Sequence, residues 1–428
     1  MEAFINFLDK YFMPVAGRLA EQRHLKSIRD GIVATMPLLL IGSFFLIIAF
    51  PPIPSLEVLI KPYAKDLLKI VSATFGIIGL VASFTIAYSL AGTYKIDPIA
   101  SGVLSLSTFM LSIPLTQDNN IPSMWLGSLG LFVAMIIAIF TVEVQRKFIE
   151  KNLVIRMPEG VPPSVGRAFA ALIPGAVIIT SVWIVHMILI KTVHLTIPEA
   201  INVLIAIPLL KLGSTLPAVI LIILAVQFLW SVGIHGAAVM GGIIGPIVLT
   251  FTQENSAAKI AGEKILPHIV CQQFFDIFVF IGGSGTTLAL ALLLLFATKS
   301  QQLRAVGKAA IGPGIFNINE PITFGMPIVM NPVMIVPFIL APIAAALITY
   351  TAMALNIVAR PYALIPWTTP VLISGFLTTG DWKAIVLQIV NFAVAGAIYY
   401  PFLRLWDNKK YEEEQQLKKE EEVKKIEG

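Results

Sequence analysis

Long apolar runs, cut at intervals by short polar or charged breaks, dominate the chain. Runs of about twenty residues fall at about 31–50, 70–91, 98–115, 124–143 and 168–190, with a last one at about 383–403. Each matches the length of a helix that crosses a bilayer. Residues 1–20 differ: Phe4, Phe7, Leu8, Tyr11 and Phe12 recur at helical spacing, which predicts an amphipathic helix at the membrane surface. Residues 191–211 form a shorter, proline-containing apolar segment, read as an interfacial link between two halves. Beyond it the pattern changes. The runs SVGIHGAAVMGGIIGP, FIGGSGTTLALALLLL and PYALIPWTTPVLISGFLTTGD are broken by glycine and proline. Interrupted hydrophobic segments are the best sequence pointer to a transporter's binding site.

The resulting division is a segment 1–30, a transmembrane scaffold 31–190, the link 191–211, a ligand-binding half 212–406 and a charged tail 407–428. The tail, DNKKYEEEQQLKKEEEVKKIEG, reads as a solvated helix or a disordered segment.

Composition agrees: 57% of the 428 residues are hydrophobic and 13% are charged, about half the charge of a soluble protein. The chain is therefore expected to be an all-α polytopic membrane protein. Arg23, Lys26 and Arg29 before the first run, and Arg146, Lys147, Lys151 and Arg156 after the fourth, place both of those segments and the two termini in the cytoplasm. The late first run, without a small-residue cleavage site, does not read as a removable signal. Cys271 is the single cysteine, so neither an internal disulfide nor a cysteine metal site is expected. No basic-aromatic patch suggests nucleic acid.

The densest interruption is GPGIFNINEPITFGMPIVMNP, residues 312–332. Glu320 is the one formal charge between Lys308 and Arg360. A carboxylate at membrane depth costs roughly 3 kcal/mol or more, so it normally faces a cavity, an ion or a ligand. Pro313, Pro321 and Pro327, with Gly312, Gly314 and Gly325, break helical hydrogen bonding. The segment reads as a broken hairpin presenting Asn317, Asn319 and Glu320; a cytoplasmic loop with a solvated glutamate is the competing reading. His235, flanked by Gly233 and Gly236, lies in a stretch without formal charge from Lys211 to Glu254. It is either a ligand-facing imidazole or a buried one bonded to a carbonyl. Trp230 and Trp367 are candidates to cover the apolar face of a ligand, or else interfacial anchors. Asp276 either binds ligand or pairs with a cation such as Arg360. GGSG at 282–285 is either a tight turn or a small-residue packing face. A carboxylate, an imidazole, amides and indoles suit an uncharged polyol. Neither an arginine cluster for anions nor a dense acid set for a cation pump is present in these runs.

GIHG at 233–236, NINEP at 317–321, the amphipathic start and the overall layout resemble the membrane IIC component of phosphoenolpyruvate-dependent sugar phosphotransferase systems, of the lactose/cellobiose/diacetylchitobiose family. The resemblance covers roughly residues 1–406. It implies about ten transmembrane helices, two re-entrant hairpins and interfacial amphipathic helices, in a homodimer formed through the first half. It also implies a bacterial cytoplasmic membrane location and a β-linked disaccharide substrate of cellobiose or diacetylchitobiose type. The sugar's C6 hydroxyl would lie near His235 and Glu320, the two candidate catalytic residues. Trp230 and Trp367 would stack on the rings, and Asn319 would stand beside the glutamate. A separate IIB protein, phosphorylated on cysteine and served by a IIA protein, would phosphorylate the sugar. No cofactor or metal is implied. A proton-coupled symporter using Glu320 and His235 is the alternative, and a pore is disfavoured because the broken segments do not repeat.

Overall fold

The computed structural model describes Arg18 and residues 21–427, apart from Pro52, Glu159, Gly160, Pro327 and Met330. The expected amphipathic helix over residues 1–20 lies almost wholly outside them. Every regular element among the described residues is helical. Seven of the helices are long and apolar enough to cross a membrane, or up to eight if Ile197–Gly213 and Leu216–Ser231 count as one bent span. The all-α polytopic expectation therefore stands. The remaining apolar stretches are shorter or broken, such as Pro98–Ser112.

The chain divides into two compact units. Among the described residues, one comprises Arg18–Gly213 with Gly241–Ala257 and the other Ser214–Met240 with residues 258–427. Residues 241–257 group with the first unit.

In the first unit small residues set helix separations. A Cβ on Gly31 would meet the Ile86 backbone at 2.6 Å, and one on Gly102 would meet the Phe84 ring at 2.7 Å, so the helices approach at glycines. Asp97 accepts from Ala100 N and caps the helix Pro98–Ser112. At one end of the unit Glu143 collects donors from three elements. Its Oε1 accepts from Tyr94 Oη (2.6 Å) and His24 Nε2 (2.9 Å), and its Oε2 accepts from Arg146 Nη2 (2.9 Å). Gln22 donates to His24 Nδ1, so the imidazole proton sits on Nε2, facing the carboxylate. The guanidinium carbons of Arg23 and Arg146 lie 5.2 and 4.7 Å from the centre of the Tyr94 ring. Burial, and then the Glu143 carboxylate, hold the Tyr94 phenol above its usual range, which keeps it a donor. Glu143→Ala strands all of these donors. It is expected to cost about 2 kcal/mol, seen as a lowered melting temperature of the detergent-purified protein; an unchanged melting temperature would contradict this role.

The second unit is built around irregular backbone. The helix Leu216–Ser231 ends in a turn with Gly233 at φ +82°, and the helix Gly236–Ile260 follows. A π-helical turn, Phe274–Val279, precedes the GGSG turn. Next come the helix Leu288–Phe296, the approach helix Gln301–Ile315 and the short helix Glu320–Gly325. After the helix Pro332–Ala354 and a loop, the C-terminal helix Lys383–Glu427 closes the chain. Irregular backbone in an apolar setting persists only where its polar groups find partners. Side chains of the C-terminal helix supply them. Gln388 Nε2 donates to Ile277 O (2.9 Å), Asn391 Nδ2 to Phe278 O (3.0 Å) and Tyr399 Oη to Gly285 O (2.6 Å).

One expectation is corrected here. Asp276 does not pair with Arg360. It accepts from Gln272 Nε2 (2.9 Å), while Arg360 Nη1 donates to Leu266 O and Pro267 O and fastens a loop. The tail takes the helical one of its two readings: it continues the C-terminal helix to Glu427 and is largely exposed up to Glu420, while its Asp407 and Glu414 bond the start of the approach helix.

Candidate functional site

The broken hairpin expected at 312–332 is present. The approach helix stops at Ile315, and Asn317 takes φ +61°, a left-handed conformation that asparagine tolerates better than most residues. The short helix then starts at Glu320. Asn319 O accepts from Ile322 N and Thr323 N and begins it, and Asn331 Oδ1 caps the next helix by accepting from Val333 N.

GGSG is a turn, not a helix-packing face. Gly282, Gly283 and Gly285 all have positive φ, where a side chain is strained. The hairpin asparagines clasp this turn. Asn317 Oδ1 accepts from Gly282 N (2.7 Å), and Asn319 Nδ2 donates to Ser284 O (2.5 Å). Asn317 Nδ2 donates in turn to Trp367 O (2.6 Å). One amide thereby ties together the hairpin, the glycine turn and the loop that carries Trp367. Both asparagines are buried, and these bonds engage their amides with protein backbone.

Glu320 is exposed at the first position of the short helix. Phe324, four residues on and 60% exposed, shares its face. Trp230 is 3% exposed and lies between two rings, its centroid 4.4 Å from His235 and 6.4 Å from Phe324. A Cβ on Gly233 would sit 3.5 Å from Val329 Cγ1, so the His235 loop also touches the chain just after the short helix. His235 is exposed and stands immediately before the helix Gly236–Ile260, where its Nδ1 accepts from Ala238 N (3.1 Å). With Nδ1 an acceptor, the neutral imidazole carries its proton on Nε2 and has a donor to offer. It is not the carbonyl-bound, buried histidine of the competing reading. Trp367 is 48% exposed.

The residues singled out in the sequence therefore gather in one unit. Glu320, His235 and Trp367 offer exposed groups; Asn317 and Asn319 form the frame. Trp230 backs His235 with its buried ring. Sequence reasoning missed Phe324, whose spacing of four from Glu320 on the same short segment was the available signal. It also missed Tyr399, Gln388 and Asn391, which lie in an ordinary apolar run. Among the described residues no group of three or more His, Cys, Asp or Glu gathers where it would hold a metal ion.

Residues 29–342 match the family described as Phosphotransferase system, EIIC. The chain is 50% identical to a PTS system cellobiose-specific EIIC component of Geobacillus stearothermophilus, over 97% of each chain. It is 44% identical to the lichenan permease IIC component of Bacillus subtilis, over 96% of this chain and 95% of that one. Among solved structures it is similar to the transporter ChbC, the IIC component from an N,N'-diacetylchitobiose-specific phosphotransferase system. The TM-score is 0.92 at 47% identity, covering 96% of this chain and 99% of that one.

Proposed function

The chain belongs to the phosphotransferase-system EIIC family, and we propose that it is the multi-pass membrane permease for a β-linked disaccharide of cellobiose or diacetylchitobiose type, which it holds at Glu320 for phosphorylation at C6 by a separate IIB protein. The observation that carries this reading is the placement of Glu320 and Phe324 on one face of the short helix, with the Trp230–His235 pair packed on Phe324 and the Trp367 loop tied to the same hairpin. Rings cover the C–H faces of a sugar, and a carboxylate and an imidazole address its hydroxyls. The relatives' named sugars support the substrate class.

The hydrogen bonds divide the roles. His235 Nδ1 is engaged by Ala238 N–H, so Nε2–H donates to the C6 oxygen or to an incoming phosphoryl oxygen. Glu320 accepts the C6 hydroxyl proton as that oxygen attacks phosphorus, while the P–S bond to the IIB cysteine breaks and its thiolate leaves. Asn317 and Asn319 hold the backbone that aims both Glu320 and Trp367. Phosphate comes from phosphorylated IIB, itself recharged by IIA, and the sugar phosphate is released inside. The alternating basic flanks support cytoplasmic termini. A homodimer through the first unit is supported by the helix Leu172–Val193, which leaves Trp183, Ile184, Val185 and Ile188 exposed and so faces lipid or a second copy.

The test separates binding from phosphoryl transfer in Glu320→Gln and His235→Gln, using labelled cellobiose in membrane vesicles with IIA and IIB. Sugar phosphate should form only with phosphoenolpyruvate. His235→Gln should lose phosphorylation about a hundredfold and binding about tenfold. Accumulation of unmodified sugar driven by a pH gradient without IIA and IIB would overturn the reading in favour of proton symport.

A further inference from the structure

The C-terminal helix ends in an acidic grip on the helix that leads to the site. Asp407, 0% exposed, accepts from Lys299 N on both oxygens (3.0 and 2.9 Å) and from Ser300 N (2.9 Å). Glu414 accepts from Ser300 Oγ (2.6 Å), Gln301 N (3.1 Å) and Gln302 N (2.9 Å). Ser300 Oγ then accepts from Leu303 N (3.2 Å). Every amide from Lys299 to Leu303 is thus bonded, four of them by carboxylates from 107 to 113 residues further on. Asp407 and Glu414 lie seven residues apart, two turns along one helix face. A single helix end needs one capping side chain; two carboxylates from a distant element fix its position as well as satisfying its amides.

That position reaches the site. The approach helix is 15 residues long, about 22 Å, and its far end leads into Asn317, Asn319 and Glu320. Pro313 interrupts its last turn, but packing holds that end as well: a Cβ on Gly314 would lie 3.4 Å from Leu288 Cδ1. A Cβ on Gly307 would meet Leu295 N at 2.6 Å, so the approach helix and Leu288–Phe296 pack as one piece. The GGSG turn lies just before Leu288, at the Glu320 end of that piece, and Tyr399 of the same C-terminal helix holds Gly285 there. The C-terminal helix therefore grips the two-helix piece at both ends, with the carboxylate latch at the end away from Glu320.

We infer that Asp407 and Glu414 are positioning residues for the sugar site: through the approach helix they set where the Asn317–Glu320 segment stands, and loosening them displaces Glu320. This inference rests on the reading of Glu320 as the sugar carboxylate. The latch belongs to a tail whose sequence otherwise reads as a solvated charge run.

The test compares wild type, Asp407→Asn and Glu414→Gln as purified full-length protein. It uses hydrogen–deuterium exchange by peptide and equilibrium binding of labelled cellobiose and diacetylchitobiose. Asp407→Asn should raise exchange at 297–305 and also, by about tenfold, at 312–325, with a roughly tenfold loss of affinity; Glu414→Gln should do the same by about threefold. Exchange that rises at 297–305 alone, or affinity that does not change, makes the carboxylates a local helix cap and overturns the inference. If Asp407→Asn does not fold, Glu414→Gln decides by the same two readouts. If wild type binds neither cellobiose nor diacetylchitobiose, the sugar-site reading fails, and the exchange pattern at 312–325 still decides the latch.

Discussion

Glu320→Gln is expected to lower phosphoenolpyruvate-dependent disaccharide uptake at least a hundredfold while the melting temperature stays within a few degrees of wild type. The two halves of this expectation have different causes. Glu320 is exposed at the start of the short helix, and the segment's bonds are made by its neighbours Asn317 and Asn319. The fold therefore does not depend on the carboxylate. On the proposed reading, ligand binding and chemistry do. A carboxylate accepts two hydroxyl hydrogen bonds, each charge-assisted and worth about twice a neutral one. Glutamine replaces one acceptor with a donor and cannot take the C6 proton. Loss of charge-assisted binding and of the base together exceed about 3 kcal/mol, and every 1.4 kcal/mol or so is about tenfold. Uptake assayed in membrane vesicles with intact IIA and IIB reads the result. Activity within threefold of wild type would remove Glu320 from the site.

Gly283→Ala is expected to lower uptake tenfold or more by disordering the site rather than by changing its chemistry. Gly283 has φ +95°, and a Cβ there would lie 2.7 Å from Asn319 Cγ and 2.9 Å from Asn317 O. Backbone strain of about 1–3 kcal/mol adds to the overlap. The clash falls on the two asparagines that clasp the turn, so relief requires moving the Glu320 segment. Uptake should fall tenfold or more and the melting temperature should drop, unlike Glu320→Gln. An alanine variant with normal uptake would show that the turn does not set the hairpin.

What the sequence disclosed follows from how conspicuous each feature is against an apolar background. Glu320 and His235 stand out because an ionisable group in a long apolar run costs several kcal/mol without a role. The broken hairpin was legible from proline and glycine for the same reason: backbone interrupted that densely persists in an apolar stretch only where protein or a polar cavity receives its free groups. GGSG stayed ambiguous, since small residues at that spacing serve turns and helix contacts alike. The deciding bonds come from Asn317 and Asn319, each 35 residues away. Those asparagines stand out because polar groups in an apolar segment need partners. Backbone carbonyls and amides from distant loops turn out to be those partners. The tail was legible as a helix but not in its contacts. Its charges alternate as in any solvated helix, and no local pattern marks Asp407 and Glu414 as those that meet amides more than a hundred residues earlier. The pairing of Asp276 with Arg360 failed similarly: opposite charges suggested it, but Gln272, one turn from Asp276, and the carbonyls of Leu266 and Pro267 are nearer partners.

The most direct measurement is equilibrium binding of labelled cellobiose and of labelled diacetylchitobiose to the purified chain, wild type and Glu320→Gln, with no partner protein present. Binding of at least one of the two sugars by wild type, lost in Glu320→Gln while the melting temperature is unchanged, is the predicted result and makes the hairpin at Glu320 the sugar site. Binding of neither sugar, or equal binding by Glu320→Gln, would contradict it.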